Sequence, residues 1–298
     1  MAPITGPSHL VNSLASPAHL ETSASQLDGV PKDLEDSIRF ETSRLLQATG
    51  ILLRLPQEII AQSIVVLSRF WSGADGMSLL ECDAVDAAAA ALYLTAKPSA
   101  TPLSPRSLLT VLEYTSTVSP HYSQASTGAS EPQWSLSEGS YETARDRLYA
   151  TEAQLLRTLG FQTHVALPHA LCINYLQTLQ VFKAPSSDGS ALAKRAIKLL
   201  NTALLSPQQL FLTHQPPALA TAAIYLAVRE EGVNLPDVEW WEVFDVDREE
   251  LGFLVVALTS VEGFAERERE VWGDRKVPLT VGEVRAEIER RTMLEEGE

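Results

Sequence analysis

The sequence predicts an all-α protein made of two consecutive five-helix bundles. Three observations lead there: apolar residues recur at helical spacing between capping and breaking residues, an alanine-rich helical segment occurs twice, and no segment reads convincingly as a strand. The chain has 298 residues, 45% of them hydrophobic, which exceeds a typical domain of about 100–200 residues and favours two domains.

Residues 1–32 read as a disordered leader, since Met1 to Gln26 mixes Ser, Ala, Thr, Pro and His with little periodicity. Order is expected from Asp33, where Asp33-Leu34-Glu35-Asp36 supplies an acidic helix start before Ile38, Leu45, Leu46 and Ile51; that helix should stop near Gly50. Leu55-Pro56 opens a second helix striped with Ile60, Ile64, Leu67 and Phe70-Trp71, and Ser72-Gly73-Ala74-Asp75-Gly76 closes it. The third runs from Cys82-Asp83 through Ala87–Ala91 to Lys97-Pro98. Alanine favours helix and permits close approach of neighbours, so this segment is expected at the centre of a bundle. A fourth helix spans Ser104-Pro105 to Thr117, a polar loop covers Ser119–Ser140, and a fifth helix runs from Tyr141 to Leu159 with Leu148, Leu155, Leu156 and Leu159 inward and Gly160 as breaker.

The second set begins at Pro168, with Leu171, Tyr175, Leu176 and Leu179. After a Ser-Ser-Asp-Gly break come Ala191–Leu205 and a second alanine-rich helix, Ala218–Glu230, which matches Ala84–Ala96 in small-residue character. A short aromatic helix, Trp240–Phe244, and a longer one from Arg248 to Glu268 complete it. The domains expected are therefore 33–162 and 163–268, followed by an acidic, mixed-charge tail over 269–298.

Composition narrows the function. With 38 acidic against 23 basic side chains the net charge is -15, which argues against direct nucleic-acid binding, because such proteins present a basic face. Cys82 and Cys172 cannot build a disulfide framework or a four-cysteine metal site, and their scarcity fits a reducing compartment. No apolar run reaches the ~18 residues of a membrane span; Ile59–Leu67 is broken by Gln62 and Ser63, so a soluble protein is expected. His164, His169 and Cys172 lie close enough in sequence to raise a thiol nucleophile with a base. A cysteine among Leu171, Ile173 and Leu176 is more simply a buried, inert one. No phosphate loop, metal-ligand spacing or catalytic carboxylate pair stands out, and neither enzymatic activity nor a cofactor, metal or small-molecule substrate is expected.

Four segments carry a family resemblance. Ala48-Thr49-Gly50-Ile51-Leu52-Leu53-Arg54-Leu55-Pro56-Gln57 with Arg69-Phe70, Leu92-Tyr93-Leu94-Thr95-Ala96-Lys97, Glu152-Ala153-Gln154-Leu155-Leu156-Arg157-Thr158-Leu159-Gly160-Phe161, and His164-Val165-Ala166-Leu167-Pro168-His169 follow one another in the order and spacing of the cyclin box. Together they resemble the transcription- and splicing-associated cyclins, most of all the L type, from about Glu35 to about Glu268. The resemblance implies two cyclin boxes, a cyclin-dependent protein serine/threonine kinase as partner, and activation by pressing a kinase helix inward so that its glutamate meets the nucleotide-binding lysine. It also implies a nuclear location and a role in RNA polymerase II transcription or pre-mRNA splicing. The family's helix-three lysine and helix-five glutamate correspond to Lys97 and Glu152, and its apolar kinase contacts to Leu94, Leu156 and Phe161. Periodicity alone leaves those three open between core and interface, and the charged pair open to a solvated location. Pro98-Ser99-Ala100-Thr101-Pro102 departs from the family, where an apolar residue and two glutamates follow the lysine, and the arginine-serine tail of many L-type members is missing. The alternative function is a cyclin-box-fold adaptor that binds a protein or nucleic acid without activating a kinase.

Overall fold

A computed structural model describes residues 11–117, 136–183, 189–233 and 239–296. The described residues contain α-helices and short 3₁₀ turns and no strand. The chain separates into two compact units: Ser16–Thr163 with Glu268–Glu298, and Met1–Ala15 with His164–Arg267.

In the first unit two short helices, α1 (Pro17–Glu21) and α2 (Ala24–Leu27), precede α3 (Lys32–Leu52), α4 (Gln57–Phe70), α5 (Ala84–Ala96), α6 (Pro105–Thr117) and α7 (Glu138–Thr158). Their stripes build the core: Leu34, Ile38 and Leu46 on α3, Ile60, Ile64, Leu67 and Phe70 on α4, Leu108 on α6 and Leu148 on α7 are each at most 1% exposed. α5 is the central helix, packed on α3, α4, α6 and α7. Ala87 to Ala91 are all buried, so the alanines serve the close approach of neighbouring helices. Pro56 is the N-cap of α4, just outside its first turn. Gly50 does not end α3, which runs on to Leu52. A Cβ at Gly50 would lie 2.6 Å from Ile60 Cγ1, so the glycine serves the crossing of α3 and α4. Most of the Ser119–Ser140 loop lies outside the described residues.

The leader and tail hold more structure than their composition suggests. Ser25 is fully buried, its hydroxyl accepting from the Leu79 N–H at 3.0 Å, and Gln26 Nε2 donates to Glu35 Oε2 at 2.7 Å. Glu35, 1% exposed, also accepts from Arg39 at 2.6 Å, and a buried carboxylate with two donors is satisfied. In the tail, α13 (Val281–Glu296) is anchored where Asp83 Oδ1 accepts from the Val281 N–H at 2.6 Å and the Ala84 N–H donates to Leu279 O at 2.9 Å. Val277, Leu279 and Val284 are buried; three well-spaced apolar anchors among many charges give a weak periodic signal, yet they suffice to seat the segment.

The second unit contains α8 (Pro168–Thr178), a 3₁₀ turn at Val181–Lys183, α9 (Gly189–Ala203), a short α10 (Leu210–Thr213), α11 (Pro216–Glu231), a 3₁₀ helix at Trp240–Phe244 and most of α12 (Arg248–Trp272). α11 is its central helix, packed on α8 and α9, with Ala220, Ala222, Ala223 and Ala227 at 0% exposure. Gly232 ends it in the left-handed region, φ 65°. Tyr175 stacks on Phe244 at 3.9 Å between ring centroids. The segment just after residue 10 also belongs here. Asn12 exchanges hydrogen bonds with both backbone groups of Ala166, each at 2.8 Å, and with the side chain of Gln215.

Candidate functional site

α5 ends at Lys97 and α7 carries Glu152, and their packing brings together two residues 55 positions apart. Lys97 Nζ donates to Glu152 Oε1 at 2.6 Å. The pair is lopsided, the lysine side chain 51% exposed and the glutamate 10%. It sits at the rim of the bundle, where a cation at a helix C-terminus also meets the favourable end of the helix dipole. The hydrogen bond to Glu152 raises the Lys97 pKa, against a smaller lowering by burial.

An aromatic shelf flanks the pair. Lys97 Nζ stands 4.7 Å from the centre of the Tyr93 ring, and Tyr93 packs on Tyr149 at 6.1 Å. Burial, then the neighbouring Tyr149, raises the Tyr93 pKa, so that phenol stays neutral at physiological pH. The sequence reading missed this shelf as a unit, although the spacing held it: Tyr93 precedes Lys97 by one helical turn and Tyr149 precedes Glu152 by three residues. The departing segment after Lys97 folds into a turn in which Ser99 Oγ donates to Ala96 O at 2.7 Å and accepts from the Thr101 N–H at 3.0 Å.

The apolar residues left open between core and interface fall outside the core. Leu94 and Leu156 are partly exposed, and Phe161 is 70% exposed. Leu148 and Leu155 do face inward, whereas Leu159 is only partly covered. Phe161 is also strained. α7 ends in a Schellman motif, with the Gly160 N–H bonded to Arg157 O and the Phe161 N–H to Leu156 O, and Phe161 follows Gly160 in the left-handed region at φ 61°. For a residue with a Cβ that conformation costs about 1–2 kcal/mol. An exposed phenylalanine held there presents apolar surface that the isolated bundle does not use.

The thiol-nucleophile reading fails on geometry. Cys172 is 0% exposed, and burial pushes its pKa up to about 12, which keeps it a thiol. His169 Nε2 pairs with Asn201 Oδ1 at 2.9 Å. Among the described residues no group of His, Cys, Asp and Glu is arranged to hold a metal ion, and no helix is long and apolar enough to cross a membrane.

No protein-family model matches the chain. Curated relatives are L-type cyclins: Cyclin-L1 of Danio rerio is 29% identical over 241 residues, covering 80% of this chain and 45% of that protein. Cyclin-L2 of Homo sapiens is 26% identical over 283 residues, covering 95% of this chain and 49% of that protein. The chain thus spans just under half the length of these relatives. Among solved structures, a chain of the crystal structure of the yeast RNA Pol II CTD kinase CTDK-1 complex superposes with a TM-score of 0.66 at 12% identity, covering 95% of this chain and 84% of that one. The fold is a pair of consecutive cyclin-box bundles, and the chain is similar in sequence to the L-type cyclins.

Proposed function

We propose that this chain is the regulatory subunit of a cyclin-dependent protein kinase, which it binds through the rim of its first box and switches on. The observation that supports this most is the Lys97–Glu152 pair, formed at 2.6 Å on the same α7 whose C-terminal turn carries the exposed, strained Phe161. In this reading Lys97, Glu152, Leu94, Leu156 and Phe161 receive the kinase helix that bears the catalytic glutamate. Their contact favours the inward position in which that glutamate meets the nucleotide-binding lysine, the condition for aligning phosphates. The charged pair supplies direction and the apolar residues supply buried area. The Pro98–Thr101 turn takes the place of the family's acidic continuation, so partner choice depends more on the Tyr93–Tyr149 shelf. Similarity to L-type cyclins supports a nuclear role in transcription by RNA polymerase II or in pre-mRNA splicing.

Capture of proteins on the tagged chain, followed by a phosphotransfer assay of the eluate, tests the proposal. A stably bound kinase whose activity rises with added chain is the expected result. A stable partner that is not a kinase would instead favour the adaptor reading.

A further inference from the structure

The second box carries a cleft of about 390 Å³ between α11, the 3₁₀ helix at Trp240–Phe244 and the start of α12, lined by Tyr225, Arg229, Glu239, Trp241, Arg248, Leu251, Gly252 and Val255. That volume lies within the range of small-ligand sites. Arg229 and Arg248 are exposed and make no ion pair among the described residues, although the chain carries a net charge of -15. The carboxylates nearby are not spent on them. Glu230, next to Arg229, pairs with Arg195, and Glu239 in the cleft wall forms no ion pair with either guanidinium. Glu239 is the one carboxylate among the lining residues against two guanidiniums, so the wall is net positive, and the Tyr225 hydroxyl can donate.

Gly252 adds an independent observation. It lies inside α12, where glycine costs about 1 kcal/mol relative to alanine, yet its φ is not positive and a Cβ there would meet nothing within 4 Å. Internal packing therefore does not require the missing side chain, and its absence keeps that side of the cleft clear.

We infer that this cleft binds a phosphorylated peptide, with the phosphate held by Arg229 and Arg248 and a neighbouring apolar residue against Trp241, Leu251 and Val255. Two fixed positive charges match the roughly -1.5 to -2 of a phosphoserine better than the single charge of a carboxylate, and guanidinium forks fit phosphate oxygens in pairs. The aromatic and aliphatic wall gives no advantage to a free inorganic ion but does to a chain that continues past the phosphate. On the kinase-subunit reading above, such a cleft would retain substrates already phosphorylated; the binding itself does not depend on that reading.

The test is fluorescence anisotropy on the full chain. The probes are a labelled degenerate peptide library with a fixed central phosphoserine, the same library with serine, and a single-stranded RNA of equal charge. The phosphorylated library should bind about tenfold or more tightly than the serine one, and Arg229→Ala, Arg248→Ala and Gly252→Gln should each weaken it about tenfold, with circular dichroism unchanged. Equal binding of the two libraries, tighter binding of the RNA, or indifference to all three substitutions would overturn the inference. Lys97→Ala should leave peptide binding intact, so failure of this cleft and failure of the kinase proposal are read separately.

Discussion

Lys97 and Glu152 share a hydrogen bond of 2.6 Å in which the carboxylate is buried and the ammonium half exposed. The asymmetry makes Glu152 the more vulnerable partner. Removing the lysine leaves a buried acceptor without its donor, whereas removing the glutamate frees a lysine that can turn to water.

Lys97→Ala should therefore destabilise the chain by about 1–3 kcal/mol in urea denaturation, and Lys97→Ala combined with Glu152→Gln should recover part of that loss. Both variants should lose captured kinase. Because the Lys97 pKa is raised in the folded state, the pair's contribution is complete below the unfolded value of 10.5 and is lost as pH climbs through the higher folded value. Unchanged stability in Lys97→Ala would show that Glu152 finds another donor.

Phe161→Gly separates stability from binding. Glycine occupies φ 61° without a Cβ penalty, so thermal denaturation should show a midpoint equal to or above that of the parent, within the about 1–2 kcal/mol of strain at stake. Kinase capture should fall. A clear loss of stability would mean the ring packs on the bundle after all.

Gly50→Ala should be costly. The new methyl would stand 2.6 Å from Ile60 Cγ1 and 2.9 Å from its Cδ1, both on a core side chain with little room, and overpacking of this kind costs about 1–3 kcal/mol. Chemical denaturation of the variant checks this, and Gly50→Ala paired with Ile60→Val should be milder than Gly50→Ala alone.

Acid should loosen the C-terminal helix before it unfolds the core. Hydrogen bonds from Arg290 and Arg291 hold Glu287 down at about 2 against burial, and Arg291 ties the helix to Asp33 at 2.6 Å. A lowered carboxylate pKa gives stability that is present above the unfolded value of 4.5 and disappears as pH falls toward about 2. Hydrogen exchange across residues 281–296 should accelerate in that window, and Asp83→Ala, which removes the acceptor of the Val281 N–H, should accelerate it at neutral pH. Exchange that stays slow in Asp83→Ala would show that Val277, Leu279 and Val284 alone hold the segment.

The helices, the two alanine-rich centres and the order of the cyclin-box segments were legible in the sequence because caps, breakers and apolar period act within a few residues. The identity of Lys97 and Glu152 as partners was legible only through family resemblance, since 55 residues separate them. Tertiary structure decided the rest. Whether Leu94, Leu156 and Phe161 lie in the core or on the rim, that Asp83 caps a segment 198 residues away, and that Arg229 and Arg248 share a cleft all depend on how helices cross. A periodic pattern states that a face is apolar or charged; what that face meets is set by long-range packing, which no local window contains.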